Sequence, residues 1–290
     1  MKLSDMRRLL EAGDIRLTKS LGQNFLHDGN QLRRMVGAAE LTRADKVLEV
    51  GPGLGPLTER LVAEAGEVLA IEKDSRLVEF LRQRFGDALE PIAAPGRKPV
   101  LRLIHADALK FLRDAPHDWR NWKVVANLPY SVASPILVEL AQAARPPERM
   151  VVTVQLEVAQ RLTAGADAKD YGILTLLIQL RYTAHGGFKI PASCFFPAPK
   201  VDSACVKLLR RPEPLLDLAG AATFTRIVKR SFSQRRKMML KLLKEDWPAE
   251  ALRSGFAEAG LSDSARAESV TLDQFVTLTR CLAPGGDAQA

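Results

Sequence analysis

Two patterns of apolar and polar positions divide this chain near residue 210. Before it, short apolar runs alternate with stretches of helical spacing. Lys46-Val47-Leu48-Glu49-Val50 reads as a first buried strand. Further apolar runs at 68–71, 100–104, 124–126 and 150–155 predict four more strands, and runs near 188–190 and 201–209 complete the sheet. Helical spacing predicts helices over 4–13, from the cap Asp28 to about residue 40, and over 56–65, 76–85 and 135–144. Segment 91–99 is rich in Pro and Gly and reads as a surface loop. Strand–helix alternation of this kind specifies an α/β fold with a doubly wound, mostly parallel sheet. After the proline-broken stretch Arg210-Arg211-Pro212-Glu213-Pro214 the pattern is helical only, over 222–244, 248–259 and 272–282. The expected organisation is an α/β domain over 1–211 and a small all-α domain over 212–290.

Composition narrows this picture. The 290 residues are 47% hydrophobic and 26% charged, as in ordinary globular chains of one or two domains. No run approaches the ~18 apolar residues of a membrane span. The first residues lack the apolar stretch of a secretory signal. Cys194, Cys205 and Cys281 are far apart and form no Cys-x-x-Cys pair, so they read as reduced thiols of a cytoplasmic protein. The four histidines have no ligand spacing, and no metal is expected.

Net charge is +8, and its position matters more than its size. The window 218–244 holds Arg226, Lys229, Arg230, Arg235, Arg236, Lys237, Lys241 and Lys244 without one acidic residue. Elsewhere the charges balance, so the whole excess lies in this window. Concentrated positive charge suits a phosphate polyanion. The bland alternative is a solvated helix face.

Glu49-Val50-Gly51-Pro52-Gly53-Leu54-Gly55 follows the first strand and opens a helix. Glycines there let the backbone turn sharply and approach a ligand. Such a turn alone is shared with dinucleotide enzymes. The G-x-G-x-G spacing and the preceding Glu49 favour S-adenosylmethionine instead. Glu72 ends the second strand about 20 residues on, where a carboxylate accepts from ribose hydroxyls. Asp107 ends the third, where it can accept from the cofactor's adenine amine. Asn127-Leu128-Pro129-Tyr130 ends the fourth.

That tetrapeptide resembles the Asn/Asp-Pro-Pro-Tyr signature of enzymes that methylate the exocyclic amine of adenine. The lone pair of this amine is drawn into the purine ring. A site that methylates it must accept hydrogen bonds from the NH2 and so free the lone pair. The Asn127 side-chain oxygen and the Leu128 carbonyl, constrained by Pro129, are the acceptors, and Tyr130 can stack on the extruded base.

Further blocks are Lys19-Ser20-Leu21-Gly22-Gln23-Asn24-Phe25-Leu26, Phe195-Phe196-Pro197-Ala198-Pro199-Lys200-Val201-Asp202-Ser203 and Ser231-Phe232-Ser233-Gln234-Arg235-Arg236-Lys237. With them nearly the whole chain resembles the KsgA/RsmA family of ribosomal RNA adenine dimethyltransferases. The resemblance implies a Rossmann-like S-adenosylmethionine-binding sheet with a helical domain that binds RNA. It implies dimethylation of N6 on two neighbouring adenines near the 3′ end of small-subunit (16S) rRNA, in an assembling 30S subunit, by a monomer without membrane attachment. Asn24, Leu26, Gly51, Gly53, Glu72, Asp107 and Asn127 would line the cofactor pocket, and Tyr130 and Phe195 would sandwich the adenine. Rival readings are a large-subunit (23S) rRNA adenine methyltransferase, an assembly factor that has lost catalysis, and a DNA adenine methyltransferase. Met238-Met239-Leu240-Lys241 stands where family members carry a polar stretch, a departure that touches helix packing only.

Overall fold

The structure is a computed structural model that describes residues 3–11, 23–89, 100–114, 117–234 and 236–283. The loop expected at 91–99 lies outside the described residues. The chain forms two compact units, Met1–Ala159 with Ala184–Arg210, and Gln160–Thr183 with Arg211–Ala290. This division differs from the one expected at 211/212, because residues 160–183 pack with the C-terminal helices.

The first unit opens with α1 (Leu3–Glu11), β1 (Phe25–Leu26) and α2 (Gly29–Ala39). Then β2 (Lys46–Val50), α3 (Pro56–Glu64), β3 (Glu67–Glu72), α4 (Ser75–Phe85), β4 (Leu101–His105), α5 (Ala108–Asp114), β5 (Trp122–Asn127), α6 (Ala133–Gln142) and β6 (Arg149–Gln155) alternate. α7 (Leu156–Thr163), β7 (Tyr182–Ile190), β8 (Phe195–Phe196) and β9 (Ser203–Arg210) follow. Seven strands form one sheet in the order β4-β3-β2-β5-β6-β9-β7. β2 pairs in parallel with β3 and β5, β3 with β4, and β5 with β6, while β9 runs antiparallel to β6. The central strands are buried along nearly their whole length, which is why they read as continuous apolar runs. From β2 the chain winds outward to β4, then returns to place β5 on the other side of β2. The switch point of the sheet therefore lies between β2 and β5.

α2 shows how local chemistry sets an element. The Asp28 carboxylate caps it, accepting from the backbone of Asn30 and Gln31 at 2.9 Å each. It stops at Glu40, whose backbone is left-handed with φ 51°. Cations from three strands hold that end. Lys123 donates to the Glu40 carbonyl (2.9 Å), Arg149 to the Ala39 carbonyl (3.0 Å), and Lys207 pairs with the Glu40 carboxylate at 2.5 Å. Lys207 and Arg149 hold the Glu40 carboxyl far down, at about 2.

The second unit contains α8 (Ile173–Gln179), α9 (Leu218–Ser231), α10 (Met239–Leu243), α11 (Ala249–Glu258) and α12 (Leu272–Leu282). Its core includes Phe224, Met239, Leu242, Phe256 and Phe275, with the half-buried Phe232 stacked on Phe275 at 6.4 Å between ring centroids. The continuous helix expected over 222–244 is broken. The Ser231 hydroxyl donates to the Ile227 carbonyl, and the Ser233 hydroxyl to Arg230, both at 2.7 Å. Side-chain competition for helical carbonyls ends α9 there. The Met239 amide turns to the Ala265 carbonyl instead, at 2.9 Å. No described helix is long and apolar enough to cross a membrane.

The turn before β3 is closely packed. A Cβ on Gly66 would lie 2.1 Å from the Arg43 carbonyl oxygen. Backbone rather than a mobile side chain blocks the space. Gly66→Ala should therefore lower stability by about 1–3 kcal/mol, seen as a lower urea midpoint at unchanged m-value. An unchanged midpoint would show that the turn relaxes freely.

Candidate active site

Three tight turns meet at the carboxyl ends of β2, β3 and β5. Sheet register makes this happen: Val50 pairs with Ile71, Glu72 with His105, and Asn127 with Thr153. The Gly-rich turn leaves β2 with left-handed backbones at Gly51, Gly53 and Gly55 (φ 69°, 61° and 78°). A Cβ on Gly53 would lie 2.6 Å from the Phe25 ring, and one on Gly51 would lie 3.2 Å from Pro129. The glycine turn thus lies directly against both β1 and the Asn-Leu-Pro-Tyr turn. Asn24, Gly51, Gly53, Glu72, Asp107, Asn127, Leu128, Pro129 and Tyr130, all singled out from sequence, line one cleft.

Each polar group in this cleft has a defined setting. The buried Glu72 carboxylate accepts from the amides of Gly53 (3.2 Å), Lys73 (2.8 Å) and Asp74 (2.9 Å). Burial raises its pKa, and these amides oppose the rise. Asp107 pairs with the Lys73 ammonium at 2.7 Å, which pulls its carboxyl down and keeps it an acceptor. The Asn127 amide donates to the Asn24 carbonyl at 2.9 Å. Its Oδ1 is buried and has no partner among the described residues. A buried acceptor without a donor is costly, and this one belongs to a residue that lines the cleft. Tyr130 is anchored by a 2.5 Å hydrogen bond between its hydroxyl and Ser203.

Two expected site residues are placed differently. Leu26 points into the core beneath the cleft, because β1 presents Phe25 and Leu26 to opposite faces. Phe195 is buried and meets Tyr130 edge-on, with ring centroids 6.5 Å apart and planes at 69°. That arrangement is no open slot for a base between parallel rings. Among the basic residues, Arg226 pairs with Asp246 at 2.6 Å, and Arg230 pairs with Glu245 and Asp246. Both acids lie just beyond the acid-free window. Lys229, Arg236, Lys237 and Lys241 are exposed, and Arg235 lies outside the described residues.

Sequence reasoning missed Gln23, Phe25 and Lys73, which line the cleft, and Ser203, which anchors Tyr130. Gln23, Phe25 and Ser203 stand inside motif blocks already singled out, and Lys73 directly follows Glu72. Only the pairing of Phe25 with Phe196 and Leu26 with Phe195 reveals what they touch.

The family model for ribosomal RNA adenine dimethylase matches residues 15–283. The chain belongs to that family. It is 37% identical over 275 residues to the Clostridium perfringens protein named ribosomal RNA small subunit methyltransferase A, covering 94% of this chain and 93% of that one. It is 36% identical to the protein of the same name from Geobacter sulfurreducens, over 94% and 98% of the two chains. Among solved structures, the 23S rRNA methyltransferase ErmE superposes with a TM-score of 0.66 at 29% identity, over 89% and 99%. A dimethyladenosine transferase from Plasmodium falciparum superposes with a TM-score of 0.69 at 23% identity, over 88% and 95%, and shares the fold. As a member of this family the chain is a methyltransferase, with a Rossmann-like sheet and a helical C-terminal part.

Glu49 lies beneath the glycine turn and is 1% exposed. Burial pushes its carboxyl up to about 8; Glu72 adds to the rise and Thr58 partly offsets it. Glu49 therefore takes up a proton on folding wherever pH lies between its ordinary value and about 8. Its contribution to stability falls as pH rises across that interval and is level above it. Glu49→Gln should remove this slope, at most about 1.4 kcal/mol per pH unit, in denaturation measured from pH 5 to 9. Parallel curves for the two proteins would refute the assignment.

Ser203→Ala removes the Tyr130 anchor. It should slow turnover by about threefold to tenfold, the equivalent of one hydrogen bond, with cofactor affinity within about twofold. Steady-state kinetics and calorimetric binding separate these effects; equal losses in both would indicate general disruption instead.

Proposed function

We propose that this chain transfers methyl groups from S-adenosylmethionine to N6 of two adjacent adenines near the 3′ end of small-subunit (16S) rRNA, giving dimethyladenosines. The substrate is the assembling 30S subunit, and the enzyme acts as a cytoplasmic monomer. One observation carries the reading: the buried, unpartnered Oδ1 of Asn127 at the wall of the cleft. An acceptor held there suits an amine whose hydrogens must be taken up before its lone pair can attack.

The residues present fit the cofactor. A Cβ on Gly51 or Gly53 would press on Pro129 or on the Phe25 ring, so the two glycines let the walls of the cleft close to the spacing a cofactor needs. Glu72 suits ribose hydroxyls, Asp107 an adenine amine, and Asn24 and Asn127 the remaining wall. The cofactor supplies a methyl group on a sulfonium, ready for in-line displacement. The protein's part is positioning. Asn127 Oδ1 and the Leu128 carbonyl accept from the target NH2, which directs its lone pair at the methyl carbon. Tyr130 stacks on the base, worth roughly 1–3 kcal/mol by analogy with single-strand binders. The proton leaves to solvent once the nitrogen carries positive charge. Because Phe195 meets Tyr130 edge-on, the base reaches a two-sided stack only after one ring turns.

Lys229, Arg235, Arg236, Lys237 and Lys241 are the proposed RNA-backbone contacts of the helical unit. Arg226 and Arg230 contribute less, because their charge is already paired. Likeness to ErmE supports a second reading, large-subunit rRNA as acceptor.

The deciding experiment offers labelled cofactor with unmodified small subunits, large-subunit RNA and DNA in parallel. Dimethyladenosine mapped to the small-subunit RNA is expected. Transfer to large-subunit RNA alone would favour the second reading, and cofactor binding without transfer would indicate a non-catalytic assembly factor. Asn127→Ala should cost about 100-fold or more in transfer while cofactor affinity falls less than tenfold.

A further inference from the structure

We infer that Arg7 of the N-terminal helix is an RNA-contacting residue, presented by the ring of Phe196 beside Phe25, a residue that lines the cleft. The inference rests on the proposed RNA substrate and adds a positioning contact outside the basic window.

The helix is anchored for such a role. Met6 is fully buried and packs with Phe25, Leu54 and Leu77. Phe25 lines the cleft, and Leu54 belongs to the glycine turn, so α1 lies over the site's own walls. The next residue, Arg7, is exposed, and its guanidinium carbon stands 5.5 Å from the centroid of Phe196. Phe196 pairs with Phe25 across β1 and β8 and is the chain neighbour of Phe195, the ring that meets Tyr130. Arg7 is thereby held against Phe196, whose strand partner Phe25 lines the cleft.

The two arginines of α1 differ in chemistry. Arg8 is tied to Asp5 at 3.4 Å, whereas Arg7 has no carboxylate partner among the described residues. A guanidinium stacked on an aromatic face keeps its planar N–H edge free for a phosphate. RNA entering the cleft with one base extruded carries phosphates on either side of that base, and a fixed cation beside Phe25 can hold the strand in register. The bland role for the same contact is a staple that fastens α1 to β8.

Equilibrium binding of a single-stranded fragment of small-subunit rRNA carrying the adjacent adenines, from 50 to 200 mM salt, separates the two roles without needing turnover. Arg7→Ala should weaken binding severalfold and lower the log–log salt slope by about 0.7–1. Arg7→Lys should restore the slope, and cofactor affinity should stay within about twofold in both. An unchanged slope in Arg7→Ala would leave only the staple and overturn the inference. Should the wild type bind the fragment yet methylate no RNA, the proposed function would fail while the role of Arg7 stood. Should it methylate RNA with the Arg7→Ala slope unchanged, the inference alone would fall.

Discussion

At Gly53 there is no room for one more carbon atom. The Phe25 ring occupies the place of a Cβ, and Pro129 closes in on Gly51 from the other side. That close approach lets three chain segments, remote in sequence, share one small cleft. It brings β1 against the turn after β2, and the turn after β5 against both. Protein interiors close-pack, so a bulkier residue at either glycine would push Phe25 or the Asn-Leu-Pro-Tyr turn away. The walls that hold Glu72, Asn127 and Tyr130 in register would then separate.

Charge in this protein follows the same economy of place. In the cleft, carboxylates are held by backbone amides at Glu72 and by an ammonium at Asp107. Glu49 is buried without such backbone donors, and burial raises its carboxyl. In the helical unit, Glu245 and Asp246 neutralise two of the eight basic residues counted in the window. Of the other basic residues there, Lys229 and Lys241 lie on α9 and α10, Lys244 ends α10, and Arg236 and Lys237 are exposed between the two helices.

The centre of the sheet was readable because β2, β3, β5 and β6 are buried on both faces. Such strands become uninterrupted apolar runs, and β2 leads into Gly51 while β3 and β5 end at Glu72 and Asn127, on the edge that lines the cleft. What went unread was short or context-made. α5, α7 and α8 lack long periodicity. β1 and β8 are two residues each, too short for any pattern. The break after Ser231 comes from serine hydroxyls taking up helical carbonyls, an effect that helical spacing does not reveal.

Sequence by itself determined the order of the elements, the composition of the turns and the motif that carries the family. Those depend on local periodicity and on residues that only one backbone conformation or one chemistry can use. Tertiary structure decided which face of β1 points into the cleft, that Phe195 meets Tyr130 edge-on, that Ser203 anchors the phenol, and that residues 160–183 pack with the C-terminal helices. Each of these depends on partners dozens of residues away, and long-range packing alone selects among the arrangements that local preference allows.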